Sequence, residues 1–255
     1  MAQIFYIPLT KAHLAQIPLN ERVFYFLASQ LANDLNALTK LLWFAFNEYR
    51  TTDGLIQSAA LSQVMLIMKL LAGKLYEGHK LIAKMYSGKK LHQKYQTMLN
   101  DDGRGALQQI NSYFGRNNII KKLRNEFAFH FEAKDIAATF SKFADTELMP
   151  EYWGASHAGH NLAFGAELLT VRTMQHVTGL PEDKALVAIF KETTEAATWF
   201  GAFIQNYTGV LMSKYIGITQ DHVEGAERIS LPDMPSIDTV KLPYFCEPPS
   251  DYRAN

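Results

Sequence analysis

The sequence predicts an all-α protein: a helical bundle of about six to eight helices with an extended, proline-rich C-terminal tail. Three observations predict it. Long segments repeat apolar residues at the i, i+3/i+4 spacing of a buried helix face. Asn, Asp, Gly and Pro fall where such helices would start and stop. Strand signals are weak, with Arg228-Ile229-Ser230-Leu231 reading as one short edge strand. No repeat of fixed period is present.

Residues 1–19, with Pro8 and Pro18, read as an extended N-terminal arm. Asn20 can cap a helix to about residue 49, with Phe24, Leu27, Leu31, Leu35, Leu38, Leu42 and Ala45 on one face. Thr51-Thr52-Asp53-Gly54 makes a turn, and a second long helix runs to about residue 86. Between Ala59 and Leu75 it is apolar nearly all round, which puts it at the centre of the core or against a partner subunit. Gly78 marks a close helix approach. Ser87-Gly88 breaks the helix, and a third covers about residues 89–99. Asn100-Asp101-Asp102-Gly103 reads as a turn before a short helix over 106–113. Asn118 caps the next helix, which runs through Ile119, Ile120, Leu123, Phe127, Phe129 and Phe131. Asp135 caps a short helix to about residue 143. Residues 144–160 read as irregular. Two helices follow, about 161–177 ended by Gly179, and from Pro181 to about 216. The organisation expected is an arm (1–19), a bundle (20–143), further helices packed on it (144–216) and a tail (217–255).

Lys and Arg balance Asp and Glu at 25 each, so net charge excludes nothing. Their distribution is uneven. From Lys69 to Arg124 there are 12 basic and 3 acidic residues; from Asn125 onward there are 9 and 18. A basic middle of that size attracts a polyanion, or forms the solvated faces of ordinary helices. The single cysteine, Cys246, permits neither an intrachain disulfide nor a cysteine metal site, which suits a reducing, cytoplasmic setting. Residues 1–9 carry no signal-peptide pattern. The most apolar window, 59–75, is interrupted by Gln63, Lys69 and Lys74, so no membrane span is expected.

The chemistry concentrates in Lys121-Lys122-Leu123-Arg124-Asn125-Glu126-Phe127-Ala128-Phe129-His130-Phe131. RNA is cut without metal when a base takes the 2′-hydroxyl proton, an acid protonates the leaving 5′-oxygen and a cation stabilises the crowded phosphate. His130 titrates near neutrality and can act as base or acid. Arg124 offers a planar fork to phosphate oxygens. Asn125 can bond phosphate or position His130. Lys121 and Lys122 can hold the backbone, and Glu77 on the second long helix can orient Arg124.

Arg124-Asn125 followed by His130, with five residues between arginine and histidine, on a helix preceded by two long antiparallel ones, resembles the HEPN superfamily. The resemblance covers roughly residues 20–135. It implies a helical bundle, and either metal-independent endoribonuclease activity in defence or toxin–antitoxin systems or RNA and protein binding without cleavage. It also implies a homodimer whose two motifs share one cleft, an antitoxin or regulatory partner, and no cofactor. On an ideal helix Arg124 and His130 stand about 120° apart and about 9 Å along the axis. A single phosphate meets both if the side chains converge, the helix is distorted, or a second subunit supplies one group; this favours the dimer.

Other readings compete. Arg124 can simply pair with Glu77 or another acid between helices, His130, flanked by Phe129 and Phe131, can be a partly buried histidine, and Glu77 can pair with Lys80 one turn on. His157 and His160 with Glu167 lack a fourth metal ligand, so no metal site is expected, although a metal-dependent protein is a third reading. Glu192 and Glu195 lack the histidine spacing of a di-metal bundle. Trp43, Phe44, Phe46, Tyr49, Trp199, Phe200 and Phe203 read as core, and Tyr152-Trp153 as a more exposed pair. No glycine-rich phosphate loop or nucleophile elbow is present. The principal rival is a non-catalytic helical protein with a basic partner-binding face.

Overall fold

The computed structural model describes residues 4–124, 133–154, 160–231 and 234–246. These residues are mostly helical, with ten α-helices and four strands of two or three residues. The count exceeds six to eight because two helices of five residues, one in the arm and one in the tail, are too short for periodicity to register.

The arm is not simply extended. After β1 (Ile4–Tyr6), Thr10 caps a short α1 (Lys11–Ala15) by accepting from the His13 backbone N–H at 3.2 Å. Ile17 then plugs into the core. The two long helices follow as expected, α2 (Leu19–Thr51) and α3 (Gly54–Leu81), and α3 continues as a π-helical turn over Ile82–Ser87. Next come α4 (Leu91–Tyr95) and α5 (Asp101–Phe114). The run read as a turn, Asn100 to Gly103, is instead the start of α5. The Asn100 side chain accepts from Gly103 N–H at 2.9 Å, and Asp101 and Asp102 sit where the helix dipole favours acids.

The described part of the motif helix is α6 (Ile119–Leu123), capped by Asn118 as expected. Among the described residues α7 (Ala133–Phe140) begins before Asp135, which lies within its first turn rather than capping it. The stretch after it holds β2 (Glu151–Tyr152), paired antiparallel with β3 (Leu162–Ala163). Then come α8 (Phe164–Thr178), ended by Gly179 at φ +69°, and α9 (Glu182–Leu211) after Pro181. A second π-helical turn, Met212–Ile216, prolongs α9. The tail contains α10 (Gln220–Glu224) and β4 (Glu227–Ile229), which pairs antiparallel with β1. The expected edge strand therefore exists, and its partner is the N-terminal arm.

α3 packs against α2, α5, α6, α8 and α9, which accounts for its nearly continuous apolar composition. Val64, Met68, Leu71 and Leu75 are fully buried beside Phe24, Leu35 and Leu42 of α2 and Phe200 and Phe203 of α9. A Cβ at Gly78 would lie 2.7 Å from Leu31 Cδ2 and 3.0 Å from Phe200 Cε1, so glycine sets the approach of three helices. By length and composition Gly54–Ser87 could also cross a membrane; half of its most apolar window is buried in this fold. Beyond the helices, the Asn47 amide donates to Ile237 O at 2.8 Å and Val240 O at 3.0 Å, fixing the tail along the end of α2.

Candidate functional site

α6 is built to turn its cations outward. Asn118 is buried and fully engaged: its oxygen accepts from Lys121 N–H at 2.8 Å, and its amide donates to Tyr113 O and Arg116 O at 3.0 Å each. Ile120 and Leu123 are fully buried, which leaves Lys121 exposed and Lys122 and Arg124 half-buried at the surface of α3. Arg124 stands with its guanidinium over the Tyr76 ring, 5.1 Å from the centroid. Its nitrogen lies 3.8 Å from Glu77 Oε1. Lys80 Nζ occupies the same neighbourhood, 3.0 Å from Glu77 Oε1 and 4.8 Å from the Tyr76 centroid. Glu77 thus meets both cations, and the hydrogen-bond-length contact is to Lys80. The pair with Arg124 is longer than a charge-assisted hydrogen bond.

Beside this cluster an open groove of about 480 Å³ runs between α2 and α3. Ala37 and Leu38 form one wall, Leu70 and Gly73 the other. Two ion pairs stand on its rim: Lys74 with Asp34 at 2.7 Å, and Arg124 with Glu77. Arg124 is therefore a wall of a solvent-open concavity rather than a core cation.

The sequence reading missed one residue here. His79, one turn from Tyr76, stacks on Phe114 with centroids 4.9 Å apart and an interplanar angle of 12°. Burial and the charge of Lys121 hold its imidazolium below the ordinary histidine range, so it is neutral at pH 7. The signal was available in part, since Tyr76, His79 and Lys80 share the α3 face on a helical wheel. Phe114 lies too far along the chain for spacing to reveal it.

Asn125 and His130 lie outside the described residues, as does His157. His160 turns to the tail, its ring nitrogen 2.8 Å from Cys246 O and its ring against Phe245 at 5.9 Å. Glu167 accepts from Ser62 Oγ at 3.0 Å, so these two do not converge on a common point through shared contacts. Among the described residues no group of three His, Cys, Asp or Glu is placed to hold a metal ion. Glu192 accepts from the Tyr113 hydroxyl, and Glu195 faces Lys191. Of the aromatic residues read as core, Phe46, Phe200 and Phe203 are buried, Trp43, Tyr49 and Trp199 pack partly buried against the core, and Phe44 is half-buried outside it. Trp43 and Phe46 pack on Phe190 at 4.8 and 4.3 Å, and Phe200 and Phe203 are fully buried. Trp153 is 83% exposed.

Compared with models of protein families, with curated proteins and with solved structures, the chain matches none.

Proposed function

We propose that the chain is an HEPN-like RNA-binding protein of the cytoplasm that cleaves RNA without metal, in a defence or toxin–antitoxin setting. Residues 20–143 form its HEPN-type bundle, and it acts as a homodimer with the motif helices near the two-fold axis. Arg124 stabilises the phosphate, His130 acts as acid or base, and Asn125 assists. Lys121 and Lys122 hold the flanking backbone, Glu77 orients Arg124, and an antitoxin or other regulatory protein restrains the activity.

One observation supports the reading above the rest. Arg124 sits on the rim of an open groove, with Lys80, Lys121 and Lys122 close by on α3 and α6. There Arg124 lies 3.8 Å from Glu77 Oε1 and over the Tyr76 ring, at the edge of a concavity that reaches solvent. The test is cleavage of single-stranded RNA in EDTA by the native chain, Arg124→Ala and His130→Ala. The expected result is cleavage by the native chain and loss in both variants. Equal cleavage by all three, or by none, contradicts the enzyme.

A second reading, a non-catalytic interaction protein, has its own support. Leu27 of α2 and Leu66 and Leu70 of α3 are exposed, apolar side chains on two long helices that a partner would cover. Tight RNA binding or partner capture with no cleavage by the native chain would favour it.

A further inference from the structure

We infer that the groove between α2 and α3 is a nucleobase subsite for single-stranded RNA, selecting bases that carry an exocyclic amino group. The inference rests on the RNA reading above and adds what the site recognises.

The size and walls set the class of ligand. About 480 Å³ lies within the range of small-molecule sites. Leu38 of α2 and Leu70 of α3 line it, and Ala37 and Gly73 add no bulk. Two apolar walls suit the two faces of a flat ring. The rim is charged at Asp34, Lys74, Glu77 and Arg124. A nucleotide is likewise an apolar-faced ring with polar edges and an attached anion.

The charges are arranged for that shape. Arg124 and Lys74 supply cations for a phosphate at the mouth. Asp34, paired with Lys74, and Glu77, paired with Lys80 and Arg124, supply carboxylates whose lone pairs outnumber those contacts. Carboxylates accept from the amino groups of adenine, cytosine or guanine, whereas uracil offers them only its N3–H, flanked by the O2 and O4 oxygens that repel them. The base must be unpaired, because a duplex hides its edges from such a groove. A long partner helix fits less well: the Lys74–Asp34 pair at 2.7 Å joins α2 to α3 on the rim, where such a helix would have to lie.

The test is a fluorescence-anisotropy titration of labelled oligo-A, oligo-C and oligo-U at fixed salt, in a His130→Ala background so that cleavage does not intervene. AMP is titrated separately by calorimetry. The variants are Leu70→Trp, which fills the groove at a partly exposed position, and Asp34→Asn, which removes one acceptor; circular dichroism checks their folding. Expected are oligo-A and oligo-C binding at least about tenfold tighter than oligo-U, and near-equal binding of all three to Leu70→Trp. Affinity for oligo-U should stay within about twofold of the starting protein. RNA binding with no base preference, or a preference that survives Leu70→Trp, overturns the subsite and leaves the RNA reading intact. AMP binding lost in Leu70→Trp, without RNA binding by any form, upholds the groove and overturns the RNA reading. No binding of either ligand overturns both.

Discussion

Two glutamates, three cations and a set of tyrosines meet at two places in this molecule, with opposite outcomes. At the start of α2, Glu21 is 8% exposed and accepts from Lys94 Nζ at 2.6 Å and from the Tyr95 hydroxyl at 3.3 Å. Lys94 also donates to the Tyr215 hydroxyl at 2.7 Å, and the Tyr95 and Tyr215 hydroxyls lie 2.9 Å apart. Around Tyr76, Glu77 is 57% exposed, and Arg124 reaches it at 3.8 Å on the rim of a groove. The first cation is consumed by the fold. The second lies half-exposed at the edge of the groove, over an aromatic ring. Charge type does not separate the two, since each is a basic residue beside an acid and a phenol ring. Burial of the acid does.

The largest expected effect is at the closed end. Glu21→Ala leaves Lys94 and two phenols without their anion and should cost about 3 kcal/mol in urea unfolding. The matching cut at the open end, Glu77→Ala, should cost less than about 1 kcal/mol. Similar losses would erase the distinction.

Next in size is Arg124→Lys. It keeps the charge and removes the planar fork, and should lower RNA cleavage about 100-fold while leaving unfolding nearly unchanged.

Smaller is the gain from Tyr86→Phe. The Tyr86 and Tyr207 hydroxyls are buried without a protein partner among the described residues, and burial pushes the Tyr86 phenol up to about 12. Removing the Tyr86 hydroxyl should raise stability by about 0.5–1 kcal/mol, read as a shift of the urea midpoint.

The two ends should also differ in pH dependence. Burial pushes the Glu21 carboxyl up, but hydrogen bonds from Lys94, from its own backbone N–H and from Tyr95, with the Lys94 charge, outweigh it and leave it below its ordinary 4.5. The unfolded chain therefore takes up that proton first. The stabilisation is present above pH 4.5 and is lost as pH falls through the folded value. His79 is held below 6.5 by burial and Lys121, so its unfolded form also protonates first. Stability should decline as pH falls below 6.5 and level off once the folded value is passed. Urea titrations across pH 3–8 with Glu21→Gln and His79→Gln should flatten these two limbs separately.

The sequence made the scaffold readable where local chemistry decides it. The spacing of Phe24, Leu31, Leu35 and Leu42 marked the buried face of α2, and Gly78, Asn118, Gly179 and Pro181 act as glycine contact, caps and helix start. It misled where one residue set serves two structures: Asn100-Asp101-Asp102-Gly103 is as good a helix cap as a turn. It was silent where partners are far apart along the chain. Lys94 finds Glu21 and Tyr215, His79 finds Phe114, Asn47 finds Ile237 and Val240, and β1 finds β4 only through tertiary packing. At the candidate site, Glu77 and Arg124 were paired from sequence and do lie together. Tyr76, Asp34 and the groove were not legible, because a concavity depends on which side chains stop short of meeting across two helices.

The most direct measurement is the salt dependence of RNA affinity for Arg124→Gln and Lys94→Gln, taken where both remain folded. Arg124→Gln should weaken binding and reduce the slope of log K against log salt by about one phosphate contact, while Lys94→Gln leaves both unchanged. Equal losses from the two variants, or an Arg124→Gln protein that binds like the native chain, would contradict the claim that Arg124 is the cation held ready for phosphate.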